Sequence, residues 1–74
     1  MKTKYKYIEF EKLEELNGTI WRCRNRYETI LGYMVYVHKW SEWEFQPEPD
    51  TGYTIACCRD IADFLDQLNK EGKP

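Results

Sequence analysis

Cys23, Cys57, Cys58 and the single histidine, His38, are the side chains that could hold a metal ion or support nucleophilic attack. A structural zinc site uses thiolate pairs separated by a short spacer, so that two sulfurs converge on one ion. Cys57 and Cys58 are adjacent, and neighbouring side chains on a helix diverge by about 100°, which is poor geometry for chelation. Neither a metal nor any other cofactor is expected. A thiol nucleophile would need His38 as base and Asp60 or Asp63 to orient it, and no local motif marks such a triad. Glu42 and Glu44 form a carboxylate pair at alternate positions, a pattern equally typical of a solvated strand edge. Gly18, Gly32, Gly52 and Gly72 are too scattered to cradle a phosphate. The expectation is a protein that is not an enzyme.

Arg22, Arg24 and Arg26 alternate, so on a strand they share one face. With Tyr5, Tyr7 and Tyr33 nearby, such a face would stack on and pair with single-stranded nucleic acid. The competing expectation is cross-strand pairing with Glu9, Glu11, Glu42 or Glu44, which would neutralise the stripe. The overall charge favours that pairing: 11 Lys and Arg stand against 13 Asp and Glu, a net charge of -2. General nucleic-acid binders are usually basic, so nucleic acid is the less favoured partner.

The chain has 74 residues, enough for one domain spanning 1–74 and one core. Aromatic residues make up 16%, which argues against disorder and lets a short chain bury much area per side chain. Three cysteines, two of them adjacent, do not suit a disulfide framework and point to reduced thiols in a cytoplasmic compartment. The first residues carry no apolar run, so no signal peptide is expected. No stretch approaches the ~18 apolar residues of a membrane span.

These residues must be positioned by a few short elements. Tyr5 to Glu11 reads as a strand with Ile8 and Phe10 on one face, and a bulge or twist near Tyr7 would reconcile the opposite phase of Tyr5 and Tyr7. Leu13 and Leu16 also allow a helical turn over Glu11 to Leu16. Asn17-Gly18 signals a hairpin turn. Thr19 to Asn25 follows as a strand with Trp21 and Cys23 opposite the arginines. Tyr27 to Thr29 reads as a turn, and Ile30 to His38 as the most β-prone run. Trp40 to Gln46 is the fourth strand, ended by Pro47 and Pro49. Ile61, Phe64, Leu65 and Leu68 then form a helical stripe, extended back to Cys57. Thr54 is the expected N-cap, with Tyr53 stapling near Cys58, and Gly72 the closing residue.

Taken in order, Trp21, Asn25, Leu31-Gly32, Trp40, Phe45-Gln46-Pro47-Glu48-Pro49, Cys57 and Arg59-Asp60-Ile61-Ala62-Asp63-Phe64-Leu65 form a distinctive pattern. It resembles a family of small bacteriophage- and prophage-encoded proteins with no assigned reaction. The likeness runs from Trp21 to Leu68, about two thirds of the chain. Tyr36 stands where the family pattern has Trp, and the loop before the helix is longer. The resemblance implies an accessory viral product in the bacterial cytoplasm, with inhibition of a host defence as a natural role.

The fold expected is α+β: a four-stranded antiparallel meander with one C-terminal helix packed on one face. The expected core is Ile8, Phe10, Trp21, Cys23, Met34, Tyr36, Trp43, Phe45, Cys57, Ile61, Phe64, Leu65 and Leu68. The third strand is unusual in being apolar on both sides. Met34 and Tyr36 lie on the helix side, and Leu31, Tyr33, Val35 and Val37 on the other. One helix covers one face, so Tyr33, Val35 and Val37 remain open, with Arg22 and Arg24 at their rim. An apolar strip with a charged rim suggests a protein interface, to a host or viral protein or to a second copy as a homodimer.

Overall fold

The structure, a computed structural model, describes residues 1–14 and 19–71. It contains β1 (Ile8–Lys12), β2 (Ile20–Asn25), β3 (Ile30–Val37), β4 (Glu42–Pro47) and α1 (Ile55–Glu71). The strands form one antiparallel sheet in the order β1-β2-β3-β4, so the expected meander is the observed one. The Asn17-Gly18 turn, Leu16 and the closing role of Gly72 fall outside the described residues.

Thr54 caps α1 as its position demands. Its hydroxyl accepts the N–H of Cys57 at 3.2 Å, and its carbonyl accepts that of Cys58 at 3.0 Å. Tyr53, just before the cap, is held by the sheet. Its ring meets Phe45 edge-on, and its hydroxyl donates to the Leu31 carbonyl at 2.6 Å, tying the loop before α1 to the sheet.

The helix lies on the side of the sheet that carries Phe10, Cys23 and Met34. Ile61, Phe64 and Leu68 are buried there with Ile8, Trp43 and Leu31. Trp21, Tyr36, Phe45, Cys57 and Leu65 pack around them, so every residue expected in the core takes part in it. Tyr5, Tyr53 and Leu31 join the core unannounced by strand alternation.

Leu31 is a correction with a clear cause. Cys23 pairs with Gly32, yet Arg24 pairs with Ile30, so Leu31 is an extra residue in β3. Such a bulge resets the alternation and turns Leu31 inward to 7% exposure, away from Tyr33 and Val35. The bulge sits here, while at Lys6 and Tyr7 the chain bends.

The amino-terminal segment is also corrected. The strand starts at Ile8, and the chain bends just before it. Residues before the bend double back along β1: the Phe10 N–H reaches the Thr3 carbonyl and the Tyr5 N–H the Ile8 carbonyl, both at 2.9 Å. This brings Tyr5 under α1. β4 starts at Glu42, later than expected, because residues 38–41 form a turn in which Ser41 takes a positive φ of 53°. Trp40 therefore sits on the turn, exposed.

The turn between β2 and β3 is built by Asn25. Its side-chain oxygen accepts the N–H groups of Tyr27 and Thr29 at 2.9 and 3.0 Å, which orders a segment where Glu28 takes φ 64°.

Candidate functional site

The face of the sheet turned away from α1 follows directly from the register. Glu9 stands beside Arg24, and Arg24 beside Ile30. Glu11, Arg22, Tyr33 and Gln46 form the next row. Ile20, Val35 and Glu44 form another, and Val37 lies beside Glu42. Tyr33, Val35, Val37 and Ile20 thus make a central apolar strip, each half-buried by its neighbours in the sheet. No described residue of the amino-terminal segment lies across it in a hydrogen bond; that segment is engaged with β1 and with α1 through Gln67 and Asp63.

The rim is charged on both sides, but differently. On the β1–β2 side, Arg22 pairs with Glu11, and the Nε of Arg24 donates to Glu9 at 2.9 Å. The charges of Arg22 and Arg24 are therefore met by cross-strand carboxylates. These partly exposed pairs contribute about 0–1 kcal/mol each to stability. On the β4 side, Glu42 and Glu44 face outward, and Gln46 donates from Nε2 to Glu44 at 2.8 Å.

Of the residues singled out by sequence, the structure brings Arg22, Arg24, Tyr33, Val35 and Val37 onto one surface. It takes Tyr5 to the opposite side, while Tyr7 and Arg26 continue the ladder one row past Glu9 and Arg24. The hydroxyl of Tyr5 donates to Asp63 at 2.6 Å, on the helix side of the sheet. Tyr7 and Arg26 lie together beyond the end of β1, with the Arg26 N–H bonded to the Tyr7 carbonyl. Ile20 and Ile30 belong to the strip and were missed. Ile20 shares the phase of Arg22 and was legible from that; the position of Ile30 depends on the bulge.

The thiols and the imidazole are also placed apart. Cys23 is fully buried, Cys57 is half-buried and Cys58 is exposed. Burial, helped by nearby Cys57, pushes the Cys23 thiol up to about 12, so it stays protonated. His38 is exposed in the turn after β3, against the ring of Tyr36. Cys57 instead shares a depression with Leu31, at the opposite end of β3. At about 3.3 Å per residue the length of that strand separates them by roughly 20 Å. Among the described residues no group of three or more His, Cys, Asp or Glu side chains is placed to hold a metal ion. No described helix is long and apolar enough to cross a membrane.

No protein-family model, curated protein or solved structure matches this chain.

Proposed function

We propose that this protein acts without catalysis, by binding another protein through the open face of its sheet. The setting proposed is the bacterial cytoplasm, where the chain would serve as an accessory product of a bacteriophage or prophage. The observation that carries the reading is the strip of Tyr33, Val35 and Val37. It lies at the centre of an extended sheet that packs α1 on its opposite side. Each is already half-buried, so covering the rest contributes a fraction of the about 1.5–3 kcal/mol that burying a whole aliphatic side chain is worth. The paired rim of Arg22, Glu11, Arg24 and Glu9 would orient a partner more than it would hold one. The resemblance to phage-encoded proteins supports the viral setting, and blocking a host defence factor is a role suited to so short a product.

The test is capture of partners from a bacterial lysate by the protein and by its Val35→Glu variant, with sedimentation of both across a concentration series. The variant, folded by circular dichroism, is expected to lose the partner or the dimer. A monomeric protein whose Val35→Glu variant captures the same set of proteins would refute the reading.

A further inference from the structure

The two edges of the sheet differ. The outer edge of β1 is occupied by the amino-terminal segment, with Lys4 bridged to Glu9. β4 is the other edge strand. The N–H of Trp43 points outward from it, since it donates to Asn69 Oδ1 on α1 at 2.8 Å. The N–H of Glu48 points inward, to the Leu31 carbonyl at 2.9 Å. Antiparallel alternation between those two fixes the phase: the N–H and C=O of Phe45 also point outward.

Two adjoining depressions of about 410 and 400 Å³ follow this edge between β4 and α1, and both are lined by Phe45 and Leu65. One ends at Trp40, which is 65% exposed. The other is walled by Pro47, Tyr53 and Ile61. Together they make a trough that is apolar at Phe45, Pro47, Ile61 and Leu65 and bordered by Glu42 and Glu44 toward Trp40. Along it the N–H and C=O of Phe45 are turned outward, while the Trp43 N–H is held by Asn69 and Pro47 offers only its carbonyl.

A strand laid along this edge would send alternate side chains to opposite sides. One set would enter the trough over Phe45 and against Leu65 and Ile61. The other would stand beside Glu42, Glu44 and Gln46, the outward row of β4. Opposite charges across a strand pair are favourable and like charges are not. A second copy's β4 would set carboxylates against carboxylates, so this edge does not suit self-pairing. We infer that the trough between β4 and α1 receives an extended peptide segment in which apolar residues alternate with Lys or Arg, added to the sheet as a fifth strand. The trough adjoins the open face at Val37, Glu42 and Glu44, and Ala62, which lines the trough alone, separates its test from that of the open-face reading.

The probes are short capped peptides that alternate valine with lysine or valine with glutamate, and a scrambled peptide with the valines and lysines in separate blocks. Fluorescence anisotropy with the full chain is expected to show binding of the valine–lysine peptide, with the other two weaker by about tenfold or more. N-methylation of alternate peptide nitrogens is expected to abolish binding in one phase and spare it in the other, as pairing with a single edge requires. Glu42→Lys with Glu44→Lys should invert the charge preference, and Ala62→Arg in the trough wall should block peptide binding while leaving capture through the open face intact. Equal binding of the scrambled peptide, or indifference to the phase of N-methylation, would overturn the inference in the unaltered protein, whatever the fate of the variants.

Discussion

Phe64 lies flat against Phe10, their ring centroids 4.1 Å apart and their planes 5° from parallel. Trp21 meets the same Phe64 ring edge-on at 5.1 Å. One side chain of α1 therefore joins the helix to β1 and β2 at once, and it is 0% exposed. Phe64→Ala would empty that contact and should cost about 3–5 kcal/mol. A domain of this size holds roughly 4–11 kcal/mol at 0.05–0.15 kcal/mol per residue, so the variant should be marginal or unfolded at 25 °C. Urea denaturation followed by tryptophan fluorescence reads the loss; an unchanged midpoint would contradict the packing.

Gly32 has a packing reason to be glycine. A Cβ placed there would stand 2.5 Å from the Gln46 carbonyl oxygen and 2.7 Å from Cζ of Phe45. The ring of Phe45 fills the space a side chain would occupy, and the backbone on the other side cannot yield. Gly32→Ala should destabilise by about 1–3 kcal/mol through overpacking, despite alanine's better fit to an ordered backbone. Gly52 is the control, because a Cβ there meets nothing within 4 Å. Equal melting temperatures for the two alanine variants would sink this account.

The success of the sequence reading at Phe64 and its failure at Leu31 have one cause. Periodicity of 3.6 and of 2 is a local property, so Ile61, Phe64 and Leu68 and the alternation of Trp21 with Arg22 could be read directly. A bulge is a property of two paired strands. Nothing in Ile30-Leu31-Gly32 alone says that Arg24 will skip to Ile30. Tyr5 escaped for a related reason: its place under α1 depends on hydrogen bonds to Asp63 and Gln67, some 60 residues away. The open strip of Tyr33, Val35 and Val37 was legible because a two-sided apolar strand and a lone helix are both visible in sequence. The trough along β4 was not, since it needs the distance between an edge strand and a helix.

The three cysteines should separate by reactivity. Cys58 is exposed, Cys57 half-buried and Cys23 closed to solvent. The thiolate is the reactive form, and burial holds the Cys23 thiol up to about 12. With a thiol reagent at about pH 8, Cys58 should label first and Cys23 only as the domain opens. Mass spectrometry of timed digests gives the order, and labelling of Cys23 at the rate of Cys58 would contradict the buried placement. The same shift adds stability that is intact below the ordinary thiol range and fades as pH climbs toward 12.

Tyr5 makes the second alkaline contribution. Its hydroxyl donates to Asp63 at 2.6 Å and accepts from Gln67 Nε2 at 2.9 Å, while Gln67 also exchanges hydrogen bonds with the backbone of Lys2. Burial first, then the hydrogen bond and charge of Asp63, hold the phenol well above its ordinary value of 10.0. The folded protein therefore keeps a proton that the unfolded chain gives up. The resulting stability is complete below about pH 10 and declines as pH rises further, because ionised Tyr5 would face the Asp63 carboxylate. Tyr5→Phe should lose about 0.5–1.5 kcal/mol at neutral pH from the missing hydrogen bond. Above about pH 10 its stability should fall less steeply than that of the unaltered protein, with Cys23 supplying the slope that remains. Urea midpoints measured from neutral to alkaline pH test both parts, and parallel curves for the two proteins would show that the Tyr5 phenol is not held by Asp63.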